Sequence, residues 1–230
     1  MLCLYIQAPF SVFRNFSAGS FRPSAGFMTP SAAYGLLLNL AGVEMRQPDD
    51  GKSVMTLIKQ DLPNVRLALG ALEFPSQQSL FQQLHNYPVG SDTGKDLVQF
   101  SKGNKYNIVP VRRAVLSNLK AYICLDGNSE LEKQILEGLE GNCSRAYGLP
   151  FLGDNNFLPD KIEPILERKP AHWYELLDEA SSDSGLQERV TRLTITIDRA
   201  DMAQTRSQLF VPTAKAQIEI PDKAWVEINY

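Results

Sequence analysis

The order of strand-like and helix-like patterns along the chain constrains the fold more than any other feature. Residues 2–10 alternate apolar side chains with period two, as a β-strand does, and Pro9 is expected to mark its end. A helix is predicted next, because Thr29 is a favourable N-cap, Pro30 suits the first helical position and Gly42 suits the end. The apolar stripe of this helix is Ala33, Leu36, Leu37 and Leu40.

The following segments complete one supersecondary pattern. Residues 65–74 and 114–126 are typical of a second and a third strand. A second helix is predicted to open with a capping box between Ser129 and Glu132. Residues 143–153 are expected to form a fourth strand beside a glycine-containing turn. The resulting order, β-α-β-β-α-β, predicts a ferredoxin-like fold of the α+β class.

Interruptions of this pattern set the predicted domain boundaries. Residues 75–110 form a long polar insertion, and a structureless loop of that length is uncommon in a compact domain. We therefore expect an arm with a function or structure of its own. After about residue 170 only strand patterns remain, at residues 192–198, 216–220 and 225–230. We predict a ferredoxin-like domain over residues 1–168 and a small C-terminal β subdomain over residues 169–230.

Composition indicates a folded chain without a membrane span. Hydrophobic residues make up 43% of the sequence, which suffices for a sizeable core. No stretch approaches the roughly 20 apolar residues of a transmembrane helix, and no signal peptide is expected, so a cytoplasmic location is predicted. Cys3, Cys124 and Cys143 form no C-x-x-C pair and are odd in number, which argues against both a zinc site and a disulfide framework. Cys3 and Cys124 are predicted to be small core residues.

Charge is distributed unevenly along the chain. The net charge is −3, yet residues 1–120 contain 12 Lys and Arg against 7 Asp and Glu, whereas residues 121–230 contain 11 against 19. The first acidic residue is Glu44. A basic front half is suited to neutralising phosphates, although a chance asymmetry of solvated charges remains the alternative.

The sequence offers little for catalysis. His85 and His172 are the only histidines, and neither has a partner at metal-ligand spacing. No nucleophile elbow, phosphate-binding loop or dinucleotide-binding turn occurs. The acidic segments 126–132 and 174–179 are expected to lie on solvated helix-like faces. We therefore predict no catalytic residue, no metal and no cofactor.

The segment from Phe10 to Phe27 has the composition of a single-stranded RNA-binding loop. It holds five of the eleven phenylalanines, two arginines and no acid. Aromatic rings stack on unpaired bases while arginines contact phosphates, so Arg14 and Arg22 are candidate RNA contacts. Several of the phenylalanines are expected instead to pack the loop onto the core. The usual signature of an RNA-recognition motif is missing.

Three segments resemble one known family. Residues 8–44, APFSVFRNFSAGSFRPSAGFMTPSAAYGLLLNLAGVE, resemble the N-terminal signature of the fifth family of CRISPR-associated proteins. VRRAVLSNLKAYICL, residues 111–125, is similar to that family's strand after its thumb insertion, and YGLPFLGDNNFLP, residues 147–159, to its late glycine turn. The likeness covers roughly residues 1–165 and is closest in shape to the short type I-B-like members.

The resemblance implies a role and partners. Members are RAMP-fold subunits of type I Cascade complexes, which use guide RNA to recognise DNA in antiviral defence. They grip the 5′ handle of the guide RNA and contact the large subunit and the first copy of the backbone-filament subunit, and so meet target DNA through the complex. They use the loop after the first strand, the thumb and the glycine turn. The expected RNA-binding residues are Arg14, Phe16, Arg22, Lys95, Lys102, Lys105, Arg112, Arg113, Arg145 and Gly148.

A second function stays open at this stage. In one subtype of the family a member cuts precursor CRISPR RNA without metal, using a tyrosine, a lysine and a histidine. This chain has no adjacent lysine and histidine, and the least implausible substitute is Lys105 and Tyr106 beside Arg112 and Arg113. We expect a non-catalytic RNA-binding subunit, with a metal-independent endoribonuclease as the alternative.

Overall fold

The computed structural model describes residues 1–14, 21–48, 56–85, 108–145, 148–177 and 186–230. Within these ranges the fold is mixed, with two α-helices and a mostly antiparallel ten-stranded sheet. The strands are β1 (Leu2–Ser11), β2 (Phe21–Arg22), β3 (Val65–Glu73), β4 (Ser76–His85), β5 (Ile108–Asp126), β6 (Lys161–Pro164), β7 (His172–Leu176), β8 (Thr191–Thr196), β9 (Arg206–Pro212) and β10 (Val226–Ile228). The helices are α1 (Pro30–Leu40) and α2 (Ser129–Leu139). Neither helix is long and apolar enough to cross a membrane.

Four strands form the centre of the sheet in the order β6-β1-β5-β3, and each pair of neighbours is antiparallel. The first three predicted strands correspond to β1, β3 and β5. The fourth is wrong in position, because the described part of residues 143–153 contains no strand and β6 pairs with β1 instead. The short KIEP sequence of β6 has too little alternation to be recognised as a strand.

Local capping explains where both helices begin. Thr29 accepts a hydrogen bond from the Ala32 N–H at 3.2 Å and Pro30 is the first helical residue, as predicted. For α2 the predicted capping box is wrong, because Asn128 is the N-cap and its side chain accepts from the Leu131 N–H at 3.0 Å. Asparagine is as good a cap as serine, so the sequence pattern was displaced by one residue.

The ends of the polar insertion form a two-stranded arm. β4 pairs with the first half of β5 in an unbroken antiparallel register, from Ser76 opposite Ser117 to His85 opposite Ile108. The arm continues the pairing of β3 with the second half of β5. At least the described part of residues 75–110 therefore has structure of its own, as expected.

The strands after residue 168 join the same sheet. β7 and β10 both pair with β3, and β9 and β8 follow beyond β7. Residues 174–176 lie in β7, so the helix-like interpretation of that segment is wrong. The pattern at residues 216–220 gives only an isolated bridge, between Gln217 and Ala171.

Both faces of the sheet bury side chains. The helices cover the face that carries Leu4, Ile6 and Ile123, whereas Trp173 and Tyr122 pack on the opposite face. Cys3 and Cys124 lie opposite each other on this second face and form a disulfide. Their burial is as predicted, but the argument against a disulfide is wrong, because a cysteine count carries no information about strand register.

Candidate nucleic-acid interface

A row of exposed side chains crosses three strands at the base of the arm. Phe21 of β2 pairs with Arg112 of β5, and Arg112 pairs with Phe81 of β4 on its other side. Side chains of directly paired residues lie on the same face of a sheet, so the row places an arginine between two aromatic rings. We call Phe21, Arg112 and Phe81 the aromatic row.

The side chains of the aromatic row are exposed, and one of them is held by a hydrogen bond. Phe21 is 45% exposed and Phe81 is 74% exposed, so both rings are accessible to a ligand. Arg112 donates from Nε to the Ser79 hydroxyl at 2.8 Å, and no described residue forms an ion pair with it. Arg112 is itself exposed, and its pairing places it on the same side of the sheet as the rings. Neighbouring strands are about 4.8 Å apart, so the two rings lie roughly 10 Å apart across β5.

The opposite face of the same strands is buried. Arg113 is 2% exposed, and its Nη1 donates to Asp154 at 2.5 Å and to Gln82 at 3.1 Å. Burial alone would raise the pKa of the Asp154 carboxyl, but hydrogen bonds from the Asn156 N–H and from Arg113 outweigh it and leave the pKa below its ordinary value. Arg113 therefore holds the turn beneath the arm and does not face solvent.

The turn held by Arg113 also contacts the end of β1. The Val12 N–H donates to the Leu152 carbonyl at 3.1 Å, and the Leu152 N–H donates to the Phe157 carbonyl at 2.9 Å. Gly153 has φ +78°, and a Cβ there would lie 1.5 Å from the Val12 carbonyl oxygen. Only glycine permits this approach. The turn thus fixes the point where the chain leaves β1 toward β2.

The two arginines predicted in the loop after β1 are not part of the aromatic row. Arg14 is exposed and forms an isolated bridge with Ser24, two residues after Arg22. Arg22 pairs in register with Arg113 and is half-buried. Of the loop phenylalanines, Phe13 and Phe27 are buried in the core, which matches the expectation that part of the loop packs inward.

The remaining predicted site residues lie elsewhere. Arg145 donates from Nε to the Asn39 carbonyl at 3.1 Å and from Nη2 to the Gly138 carbonyl at 3.0 Å, so it caps the last turns of both helices. Gly148 is exposed with φ +63°. Phe16, Lys95, Lys102 and Lys105 lie outside the described residues.

Sequence reasoning missed the two phenylalanines of the aromatic row and the close contact at Gly153. Phe21 belonged to the aromatic loop but was not singled out, and Phe81 lies in a polar strand that was not predicted. The alternation of Ser79, Phe81 and Gln83 against Leu80 and Gln82 is the one signal in the sequence that places Phe81 on an exposed face.

The described residues contain no cluster of three or more side chains able to hold a metal. His172 is half-buried, its Nδ1 lies 2.7 Å from the Thr213 carbonyl oxygen and its ring lies 4.8 Å from that of Phe74. His172 is therefore packed at the start of β7 against Phe74 and Thr213, the residues that follow β3 and β9. The chemistry that the interface itself offers is stacking and phosphate contact.

The fold is shared with solved structures at low sequence identity. One, named "CRISPR RNA-guided surveillance complex", aligns with a TM-score of 0.57 and 15% identity over 96% of this chain and 94% of the other. Another, named "Crystal structure of Cas protein", aligns with a TM-score of 0.51 and 13% identity over 96% and 97%. No family model and no curated protein matches the sequence. The likeness establishes a fold shared with Cas proteins, and function has to be argued from the site.

Proposed function

We propose that this chain is an RNA-binding subunit of a CRISPR effector complex and that it grips the 5′ handle of the guide RNA. The observation that carries the proposal is the aromatic row. Two exposed rings on either side of an arginine offer stacking surfaces for unpaired bases and a charge for the phosphate between them. Arg14 is a further exposed cation in the segment that follows β1.

The topology supports the finer fold assignment within this proposal. β1, β3, β5 and β6 are the first, second, third and fourth strands of the β-α-β-β-α-β pattern. In these numbers the observed order β6-β1-β5-β3 is 4-1-3-2. All neighbours are antiparallel, and both helices contact the sheet from one face. This arrangement supports the proposed ferredoxin-like fold, with the arm inserted between its second and third strands.

The chain is proposed to bind RNA without cutting it. Cleavage without metal requires a base at the 2′-hydroxyl and an acid at the leaving oxygen, both within hydrogen-bond reach. Of the described charged side chains on these strands, Arg112 lies in the aromatic row, whereas Arg113 and Asp154 pair with each other on the opposite face. The partners of this chain within the complex are proposed to be the large subunit and the first backbone-filament subunit, as the sequence resemblance implies.

Affinity measurements test the aromatic row directly. The probe is a fluorescent single-stranded RNA of about 12 nucleotides, titrated at several salt concentrations. Loss of either ring, by Phe21→Ala or Phe81→Ala, is expected to weaken binding about 5- to 150-fold, since stacking contributes roughly 1–3 kcal/mol per base. Arg112→Ala is expected to lower the salt slope by about one. Phe10→Ala removes an exposed ring outside the row and serves as the matched control.

The identity of the RNA requires a second measurement. RNA that co-purifies with the complex is sequenced from its 5′ end, and a common repeat-derived 5′ end is expected. Random ends, or row variants that bind as well as the parent chain, would contradict the proposal. A single defined cut in full repeat RNA incubated without metal would instead identify the endoribonuclease.

A further inference from the structure

A polar cavity lies at the end of β8, away from the aromatic row. Three separate parts of the chain line it: Gln47 together with residues from 57 to 60, residues from 196 to 206, and Asn229 with Tyr230. Ile58, Ile197 and Tyr230 supply its apolar surface, and Gln60, Gln204 and Asn229 supply amides. Arg199 and Arg206 line it as well. We call it the arginine–amide cavity.

The loop that presents Arg199 is ordered by its own hydrogen bonds. Asp198 Oδ1 accepts from the N–H groups of Ala200 at 2.8 Å and Asp201 at 2.9 Å. The Asp198 N–H donates to the Thr205 hydroxyl at 3.2 Å and closes the loop across its base. Binding a ligand here therefore requires little additional ordering of the backbone.

The charges of the cavity are not balanced. No described residue forms an ion pair with Arg199 or Arg206. The one side-chain carboxylate in the lining, Asp198, accepts backbone N–H groups instead. Burial raises the pKa of the Tyr230 phenol, and the Ile197 N–H and the Arg199 guanidinium act against that rise, which places Arg199 beside the ring. The cavity thus favours an anion.

The amides in the lining lack partners too. Within the described part of the chain, the side chains of Gln60, Gln204 and Asn229 form no hydrogen bond, whereas Gln47 donates to the Ile58 carbonyl at 3.1 Å. Amide side chains pair with the edges of nucleobases, and arginines pair with phosphates. An irregularity in the β8–β9 pairing at Thr194 and Thr196 lies next to Arg206, and such bulges redirect side chains at binding sites.

We propose that the arginine–amide cavity binds a nucleotide, with Arg199 and Arg206 on the phosphate and the amides on the base. The base packs against the apolar surface formed by Ile58 and Tyr230. The same chemistry is presented by a free mononucleotide and by one nucleotide of a nucleic-acid strand. The proposal does not depend on the function assigned to the aromatic row, because the two sites share no residue.

Calorimetric titration with adenosine 5′-monophosphate tests the cavity in the full-length chain. Saturable binding is expected, with adenosine and inorganic phosphate each binding at least tenfold more weakly. The double variant Arg199→Ala, Arg206→Ala is expected to lose at least tenfold in affinity. Arg192→Ala removes an exposed arginine of β8 outside the cavity and is expected to bind like the parent chain.

A short single-stranded RNA distinguishes the two sources of the nucleotide. It is titrated into a chain carrying Phe21→Ala, Phe81→Ala and Arg112→Ala, so that the aromatic row does not contribute. RNA binding stronger than that of the mononucleotide assigns the cavity to a strand, and weaker RNA binding assigns it to a free nucleotide. No saturable mononucleotide binding, equal binding of inorganic phosphate, or equal losses in the cavity and control variants would overturn the proposal.

Discussion

At the scale of single residues, the two positive-φ glycines of the late turn make different demands. A Cβ at Gly153 would collide with the Val12 carbonyl, whereas at Gly148 it would meet nothing within 4 Å. Gly148→Ala is therefore expected to cost only the left-handed backbone strain, about 1–2 kcal/mol. Gly153→Ala is expected to cost more than that and to detach the turn from β1. Urea denaturation of both variants checks the difference, and equal losses would contradict it.

The ion pair between Arg113 and Asp154 gives a pH-dependent prediction. Asp154→Asn leaves a buried guanidinium without its anion and is expected to destabilise the chain by about 3 kcal/mol at pH 7. Because the folded-state pKa of Asp154 is lowered, its contribution is present above the ordinary value of about 3.9 and is lost as pH falls through the lowered value.

Denaturation curves measured between pH 7 and pH 3 check this sign. The stability difference between the parent chain and Asp154→Asn is expected to shrink as the pH falls below about 4. Asp160→Asn, an exposed aspartate of the same segment without an ion pair among the described residues, provides the control. A difference that stays constant over this range would show that the charge of Asp154 does not stabilise the fold.

Arg112 and Arg113 show what residue-level sequence reasoning could and could not predict. Both were expected to bind RNA, because they are adjacent residues of the same type and the sequence does not distinguish them. The register of β5 places Arg112 on the exposed face and Arg113 over Asp154. That choice depends on contacts between residues 41 positions apart, which no local pattern reports.

At the scale of elements, β4 is a sheet edge that no other described strand covers. It pairs only with β5 among the described strands, runs for 10 residues and contains no Lys, Arg, Asp, Glu or Pro. The other edges follow the usual protective rules: β6 is short and contains Lys161 and Pro164, and β8 carries Arg192 and a bulge. We expect the free chain to self-associate along β4 at high concentration.

Light scattering measures this association. Gln77→Lys with Gln83→Lys places two charges on β4 and is expected to raise the concentration at which association begins several-fold. Gln208→Lys introduces one such charge in β9, a strand that pairs with both β7 and β8, and is expected to have little effect. Equal effects of the edge and control variants would indicate that net charge, rather than the edge, governs association.

The elements that sequence predicts well are those with local signals. α1 has its cap, its proline and an apolar stripe within fifteen residues, and the structure follows them. β4 and β6 lack such signals, since β4 consists mostly of serine and glutamine and β6 is four residues long. Their strand conformation is imposed by long neighbours, β5 and β1, which is a tertiary effect.

At the scale of the whole molecule, contacts between the first and last parts of the chain are extensive. Phe27 stacks on Tyr174 at 4.3 Å, Tyr34 stacks on Tyr230 at 5.6 Å, and the Gly26 N–H donates to the Thr191 hydroxyl at 3.2 Å. β3 pairs with β7 and β10 along one edge and with β5 along the other. Sequence reasoning placed a boundary at residues 168 and 169 because only strand patterns follow it, and period-two alternation does not show which sheet a strand joins.

Truncation at this boundary is the sharpest test of how the molecule is organised. A chain of residues 1–168 leaves one edge of β3 unpaired and removes Trp173, which is fully buried against Gly70 and packs with Tyr122. We therefore expect it to lose cooperative unfolding and to bind a hydrophobic dye, as measured by near-UV circular dichroism and fluorescence. In the full chain, Trp173→Ala is expected to cost about 3–5 kcal/mol, and Trp225→Ala less because that ring is only half-buried. A truncated chain that unfolds cooperatively, with native-like near-UV signals, would show that residues 1–168 fold independently.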